Sequence, residues 1–248
     1  EKKMIEICCG SYEDALAASR GGAERIELNC ALALGGLTPS VGCLRLVKKN
    51  TALKVISMVR PRGAGFCYTE TEAEQMFEDA RALLENGSDG LAFGFLTEDG
   101  EIDAERTGEM IRLIHSYDGR EAVFHRAFDC TSNPRKAMRK LIELGADRVL
   151  TSGLRDKAEQ GKELLRELNE EFGSEIEILA GSGVNGDNAR SLMEETGLTQ
   201  VHSSCKDWRR DATTTGEHVT YRFAPEPHEN NYDVVSEALV RKLVENTR

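Results

Sequence analysis

Acidic and imidazole side chains occur near the ends of several short apolar runs of this sequence. Glu6 lies in the run 4–9, Glu27 in the run 25–30 and His202 in the run 201–204. Two carboxylates in different surroundings can have separated pKa values, so such a pair can supply the acid and the base of a proton transfer. The candidate catalytic residues are Glu6, Glu27, His125, Asp129 and His202.

Arginines and a glycine-rich turn predict a site for a small anion. Arg60 and Arg126 follow apolar runs, and a guanidinium forms paired hydrogen bonds with carboxylate or phosphate. The turn 181–183 precedes a predicted helix, whose N-terminal N–H groups would attract an anion. The candidate anion-binding residues are Arg60, Arg62, Arg126, Gly181, Gly183, Ser203 and Ser204. Two alternatives stay open: the arginines neutralise the two buried glutamates, and the turn binds nothing.

A short phrase that begins with glycine occurs four times. Its copies start at Gly22, Gly87, Gly145 and Gly197, and each follows an apolar stripe of helical spacing and precedes a short apolar run. Helices commonly end in this way, at a left-handed glycine that leads into a strand. The intervals of 65, 58 and 52 residues each accommodate two strand–helix units of roughly 30 residues. The repeats therefore predict an α/β protein, a single-domain (β/α)8 TIM barrel.

Strand alternation predicts which side chains face the inside of this barrel. Successive side chains of a strand point to opposite faces, and the apolar positions should face the surrounding helices. The residues predicted to face inward are Glu6, Glu27, Arg60 and His202, with His125 across the barrel. Because barrel enzymes hold their active sites at the C-terminal ends of the strands, we expect one polar site there.

The part of the chain after the last barrel strand has no clear pattern. Residues from about 206 to 231 show neither helical nor strand periodicity, and this length is unusual for a connecting loop. We expect a long loop there that acts as a lid or is mobile, followed by a last helix at residues 232–246. No linker interrupts the sequence, so residues 1–248 are expected to form one domain.

Composition limits the partners and the compartment. The net charge of −11 disfavours a broad contact with nucleic acid or an anionic membrane, and no apolar run approaches the roughly 20 residues of a membrane span. Seven cysteines, an odd number without a CxxC pair, favour a reducing cytoplasm over a disulfide framework. We expect a cytoplasmic protein without nucleic-acid or membrane partners. A homo-oligomer is compatible with the sequence, and no motif indicates a nucleotide cofactor.

Eight phrases between residues 4 and 205 form a more specific pattern. They are Glu6-Ile7-Cys8, Glu27-Leu28, residues 35–40, Arg60-Pro61-Arg62-Gly63, residues 66–68, Phe124-His125-Arg126-Ala127-Phe128-Asp129, residues 150–153 and residues 201–204. In this order and spacing, the chain resembles the copper homeostasis protein CutC family. The resemblance implies a TIM barrel, a cytoplasmic protein that handles copper, and Cu(I) bound through cysteine.

The cysteine pattern agrees with this family only in part. Cys8 matches a family cysteine on the first strand and is the candidate metal ligand, because soft Cu(I) prefers thiolate. Many members carry a second cysteine directly after the Glu-Leu of the second strand, and this chain has Asn29 there. Cys30 follows, but a step of one residue turns a side chain to the other face. Cys8 and Cys30 should therefore not converge.

Three functions remain open at this point. The resemblance favours copper homeostasis with Cu(I) as the bound ion. One alternative is a TIM-barrel enzyme that uses glutamate and histidine acid–base chemistry on a small anionic substrate, bearing phosphate or carboxylate and including sugar-like molecules. The absence of lysine at the ends of the predicted strands argues against a Schiff-base aldolase. The second alternative is a degenerate barrel with an interaction role.

Overall fold

The computed structural model describes residues 3–247, and its centre is a closed barrel of eight parallel strands. Consecutive strands are neighbours around the barrel, and the last strand pairs with the first. The barrel strands are β1 Met4–Cys9, β2 Arg25–Leu28, β3 Lys54–Met58, β4 Gly90–Phe93, β5 Glu121–Phe124, β6 Arg148–Thr151, β7 Glu177–Ala180 and β8 Gln200–Ser203. The predicted (β/α)8 fold is confirmed.

Helices cover the outside of the barrel. They are α1 Tyr12–Arg20, α2 Val41–Asn50, α3 Glu70–Glu85, α4 Ala104–His115, α5 Pro134–Leu144, α6 Lys162–Phe172, α7 Ala189–Thr196 and α8 Glu237–Thr247. The main hydrophobic core lies between the strands and these helices, and it includes Ile7, Val55 and Phe124. Within residues 3–247, none of the helices is long and apolar enough to cross a membrane.

The four repeated glycines end helices as the sequence predicts. Gly22, Gly87, Gly145 and Gly197 have φ angles of +94°, +96°, +87° and +71°. A residue with a Cβ atom is strained at such angles, so glycine lets the chain turn from the helix into the next strand. The strands β2, β4, β6 and β8 each begin three residues after one of these glycines.

The inside of the barrel has an apolar side and a polar side. Ile56, Met58, Ala92 and Val123, from β3, β4 and β5, pack together as an apolar group. The inward residues of β8, β1 and β2 include ionisable side chains that are buried. Since buried charges need partners, ion pairs on this polar side fix the positions of the side chains that form the candidate site.

The segment after β8 forms an antiparallel ribbon at its two ends, where the sequence indicated an irregular loop. Its strands are β9 Lys206–Arg210 and β10 Asn231–Val235. The Trp208 indole stacks on the His228 imidazole, with 4.4 Å between the ring centroids. Strand pairing and aromatic stacking therefore give structure to a segment that the sequence pattern left without one.

The predicted last helix starts too early. The prediction placed it at residues 232–246, but α8 begins at Glu237 because the preceding residues belong to β10. The β-branched and aromatic residues of β10 suit a strand, and its partner β9 lies too far away in the chain to appear as a local period. The Val235 N–H donates to Asp14 on α1 at 2.8 Å, which attaches the ribbon to the barrel.

Candidate functional site

A cavity of about 410 Å³ opens at the C-terminal ends of the barrel strands, the end where barrel enzymes hold their active sites. Strand residues from β1, β2 and β8 form one side of it, and residues that follow β3 and β5 form another. The polar side chains that line it include Cys8, Glu27, Arg60, His125, Arg126, Lys157 and His202. The structure thus brings residues from distant parts of the sequence to one cavity.

A buried chain of charges connects three strands below this cavity. The Glu6 carboxylate accepts a hydrogen bond from Arg25 Nε at 2.5 Å and lies 2.8 Å from His202 Nδ1. The Arg25 guanidinium also donates to Gln200 at 2.7 Å. The Arg25 side chain is 2% exposed, so its charge depends on Glu6 for neutralisation. Glu6 does not line the cavity; it holds the imidazole that does.

Arg25 was missed by the sequence prediction, in which one open alternative was that Arg60, Arg62 and Arg126 neutralise the glutamates. The alternation rule contained the signal, because Arg25 lies two residues before Glu27 and must share its face. The predicted partners lie elsewhere: Arg62 pairs with Glu72 on α3 at 2.5 Å.

Charge pairing determines the protonation states of Glu6 and His202. Burial alone would raise the pKa of Glu6, but the Arg25 guanidinium and the His202 imidazole lower it to about 2. Burial would lower the pKa of His202, but Glu27 and the hydrogen bonds to Cys8 and Glu6 raise it well above its usual value. His202 therefore favours the imidazolium form, with Glu6 as its carboxylate counter-charge.

Cys8, Glu27 and His202 converge at the floor of the cavity. One potential ligand atom from each lies within 4.8 Å of the others, and Cys8 Sγ lies 3.8 Å from Glu27 Oε2. Asn29 belongs to the same cluster: its Nδ2 donates to Glu27 Oε2 at 3.0 Å and lies 3.6 Å from Cys8 Sγ. A sulfur, an imidazole and a carboxylate that meet in this way are a possible metal-binding set.

Burial raises the pKa of both the thiol and the carboxyl group of this cluster. Burial raises the pKa of Cys8, and the neighbouring Glu27 adds to this against the opposing effect of His202. Burial also raises the pKa of Glu27, with His202 opposing and Glu6 reinforcing the shift. The cluster therefore contains groups that can accept or release protons within one cavity.

Arg60 lines the cavity, but it is not bonded to the buried glutamates as the predicted polar arc suggested. Its Nη1 donates to the carbonyl oxygens of Leu34 and Gly36 at 3.1 and 3.2 Å, and its Nη2 donates to that of Ala64 at 2.7 Å. The Nε atom is buried and has no partner within residues 3–247. The Phe66 ring lies 5.1 Å from the guanidinium carbon.

His125 is held in one neutral form. Its Nδ1 accepts a hydrogen bond from the Ala127 N–H at 3.1 Å, so the proton of the neutral ring is on Nε2. Burial, with the Arg60 charge adding to it, lowers the pKa of His125 to about 3. Its Nε2 is buried and finds no acceptor in the part of the chain that the structure describes. The side chain is a neutral donor rather than an acid.

Asp129 was predicted as a catalytic residue, and the structure places it outside the cavity lining. Its carboxylate accepts from Arg126 Nε at 2.8 Å, Thr151 Oγ1 at 2.5 Å and Ser152 N at 3.1 Å. The Leu154 N–H donates to it as well, at 3.2 Å. Asp129 therefore fixes the loops after β5 and β6, and it holds Arg126 at the cavity wall.

The predicted anion-binding residues are only partly brought together. Gly183 and Ser204 line the cavity, as does Lys157, which the sequence prediction did not consider. Ser203 faces away from the cavity, and its hydroxyl donates to the Val184 carbonyl at 2.6 Å. Arg62 does not line the cavity either, since it pairs with α3.

The turn 181–183 does not open a helix, contrary to the prediction, because α7 begins only at Ala189. No helix dipole therefore acts at this turn. A Cβ atom on Gly181 would lie 2.7 Å from Leu150 and 3.4 Å from His202. Gly181 consequently provides the space in which Leu150 packs, beside His202.

Cys30 lies apart from Cys8, as the alternation rule predicts. Its thiol donates to the Thr38 carbonyl at 3.1 Å, and it lines a second cavity behind β2 with Pro39 and Cys43. Asn29 also borders this second cavity, but its amide Nδ2 points into the cluster. A cysteine at position 29 would therefore lie beside Cys8. In this chain the cysteine is at position 30 instead, and its thiol lies apart from that of Cys8.

Comparison with known proteins identifies the family. The model of the CutC family matches residues 3–207. A family protein CutC from Treponema denticola is 45% identical over 241 residues, which cover 97% of each chain. The copper homeostasis protein cutC homolog of Homo sapiens is 40% identical over 206 residues, which cover 83% of this chain and 74% of the human protein.

A solved structure agrees with these sequence relatives. The crystal structure of a CutC protein from Streptococcus agalactiae superposes with a TM-score of 0.76 and 31% identity, covering 82% of this chain and 98% of that one. The match to the family model ends at residue 207, so most of the β9–β10 ribbon lies beyond it. On these grounds the chain belongs to the CutC family, in which several relatives are named copper homeostasis proteins.

Proposed function

We propose that this protein binds one Cu(I) ion at the floor of its barrel cavity and acts in copper handling. The proposal is carried by one observation: Cys8, Glu27 and His202 offer ligand atoms within 4.8 Å of one another. The names of the relatives support copper as the metal. Cu(I) prefers soft ligands, and a thiolate with an imidazole meets this preference better than oxygen ligands do.

The surroundings of His202 fit a metal ligand. A histidine that binds a metal commonly donates its other ring N–H to a carboxylate, which fixes the tautomer and the ring orientation. His202 Nδ1 lies 2.8 Å from Glu6, so Nε2 is the nitrogen left for a metal. Arg25 holds Glu6 in turn at 2.5 Å. Cys8 and His202 would be the main ligands, and Glu27 a weaker oxygen ligand.

The protonation states set a condition on binding. A metal binds thiolate and neutral imidazole, so ligand protons must leave when it binds. In the metal-free protein the pKa values of Cys8 and His202 are both raised. Glu27, whose Oε2 lies 3.8 Å from Cys8 Sγ, is placed to receive the thiol proton. The open cavity gives that proton a path to solvent.

An Asn29→Cys variant tests this site directly. Asn29 Nδ2 lies 3.6 Å from Cys8 Sγ, so a thiol at position 29 would add a second soft ligand. We expect wild-type protein to bind one equivalent of Cu(I) in competition with a chromophoric chelator under reducing conditions. Asn29→Cys should bind Cu(I) more tightly by about 10-fold or more, the size of effect typical for groups around a metal ligand.

Asn29→Ser is the matched control, because it removes the amide without adding a thiol and should give no gain. If wild-type protein does not compete with the chelator and Asn29→Cys gains nothing, the metal site is not at this cluster. A gain of equal size in Asn29→Ser would attribute the effect to loss of the amide rather than to the sulfur.

A second candidate function, acid–base catalysis on a small anionic molecule, is favoured by the size of the cavity. About 410 Å³ is far more than one ion needs and falls within the range of small-molecule sites. Glu27 and His202 at its floor could exchange protons with a bound molecule. This function requires metal-free protein to bind a small anion, and an absence of any such binding would exclude it.

A further inference from the structure

We propose that the cavity contains a subsite for the carboxylate or phosphate group of a small molecule, formed by Arg60 and His125 behind the Phe66 ring. This subsite would hold the substrate of the second candidate function, but it does not depend on bound copper. It lies on the β3–β5 side of the cavity, away from Cys8 and His202 on β1 and β8.

The first argument is an unneutralised buried cation. Arg60 is 7% exposed, and its identified hydrogen bonds go to three backbone carbonyl groups. No carboxylate of residues 3–247 forms an ion pair with it, whereas Arg25 and Arg126 are paired with Glu6 and Asp129. A buried charge without a counter-charge is unfavourable, so an anion supplied from outside would be stabilised at this guanidinium.

The second argument is a pair of donors without acceptors. Arg60 Nε and His125 Nε2 are both buried and unpartnered within the described residues, and both side chains line the same cavity. His125 is 3% exposed, and the Ala127 N–H holds its Nδ1 as an acceptor. Its Nε2 therefore presents an N–H. Carboxylate and phosphate oxygens are the acceptors that such donors lack.

The Phe66 ring separates these donors from solvent. Its centroid lies 5.1 Å from the Arg60 guanidinium carbon and 5.1 Å from the centroid of the His125 ring. Its backbone carbonyl accepts from the Leu96 N–H at 2.9 Å, which fixes the main chain at this residue. The ring itself is half-buried, so access to the donors requires movement of this side chain alone. A ring over the guanidinium gives a weak cation–π contact, which an anion can replace. Phe66 would therefore act as a side-chain gate.

Titration calorimetry on metal-free protein with inorganic phosphate and with malonate tests this subsite. Wild-type protein should bind at least one of the two probes with saturation at millimolar concentration. Arg60→Gln should weaken that binding by about 10-fold or more, since it removes a charged hydrogen-bond donor. His125→Phe keeps a ring of similar size without the N–H and should weaken it by several-fold. Phe66→Ala should strengthen it, because no ring has to move.

Arg62→Gln is the matched control for Arg60→Gln. It removes the same charge from the same loop, but Arg62 pairs with Glu72 outside the cavity, so anion binding should be unchanged. The titration uses metal-free protein, so its result does not depend on the copper site. Preference for malonate or phosphate would identify the group as carboxylate or phosphate, and both outcomes support the subsite.

Three results would overturn the proposal. One is that neither probe binds wild-type protein at tens of millimolar. Another is that Arg60→Gln and His125→Phe, shown to be folded, bind the probe as wild type does. The third is that Gly183→Val abolishes binding while both of those variants retain it, since the anion would then lie at the turn 181–183.

Discussion

Replacing Glu6 by glutamine should lower the free energy of unfolding by about 3–5 kcal/mol at pH 7, the usual cost of removing one partner of a buried ion pair. The glutamine has the same shape but no charge. It would leave the Arg25 guanidinium, with a 2% exposed side chain, without a counter-ion, and His202 without its carboxylate. Urea unfolding followed by circular dichroism measures this loss.

The stabilisation by Glu6 depends on pH, because only the carboxylate form pairs with Arg25 and His202. The folded pKa of Glu6 is about 2, below its ordinary value of 4.5, so its stabilisation is fully present above about pH 4.5 and is lost as the pH falls towards 2. The difference between wild type and Glu6→Gln should therefore shrink across this range. Glu237→Gln, which breaks exposed pairs with Arg20 and Arg241, should leave the unfolding midpoint unchanged. A Glu6→Gln variant as stable as wild type would contradict the assigned ion chain.

Replacing Cys8 by serine should weaken Cu(I) binding by a factor on the order of 100 or more. Even groups that only orient a metal ligand are worth about 10–100-fold in affinity, and Cys8 supplies the soft ligand itself. Serine occupies nearly the same volume, so the barrel should stay folded. The measurement is competition with a chromophoric Cu(I) chelator at constant pH.

Cys30→Ser separates this effect from a general loss of thiols. Cys30 lies after the end of β2, and its thiol donates to the Thr38 carbonyl at 3.1 Å. Its replacement should therefore change Cu(I) affinity by less than about 2-fold, as for a residue without contact with the site. Equal losses in the two variants would refute the assignment of Cys8 as the ligand. So would unchanged affinity in Cys8→Ser.

The elements that the sequence predicted well are those with a local period. Glycines at helix ends and alternation within strands are both local properties, so the barrel and the inward direction of Glu6, Glu27 and His202 could be predicted from the sequence alone. The same alternation places Arg25 on the face of Glu27, but the predicted inward residues of this strand began at Glu27 and did not include it.

The elements that the sequence did not predict depend on contacts between distant segments. The direction of Arg60 follows from carbonyl groups in two loops, and loops carry no period from which a contact can be inferred. The ribbon of β9 and β10 exists because two segments about twenty residues apart pair with each other. Lys157 reaches the cavity from the loop after β6, where a rule restricted to strand ends could not find it.

The number of sulfur ligands around the metal distinguishes the proposed copper site from other ways of binding Cu(I) to this protein. The proposed site has one thiolate, since Cys8 is the single cysteine of the cluster formed with Glu27, Asn29 and His202. Other arrangements of the seven cysteines would give Cu(I) two or more sulfur ligands, as would binding between two copies of the chain.

X-ray absorption spectroscopy of protein loaded with one equivalent of Cu(I) is therefore the most direct test. The account predicts one sulfur and at least one imidazole nitrogen around the metal, with two sulfurs in Asn29→Cys. Two or more sulfur ligands in wild-type protein, or a sulfur signal that persists in Cys8→Ser, would contradict it.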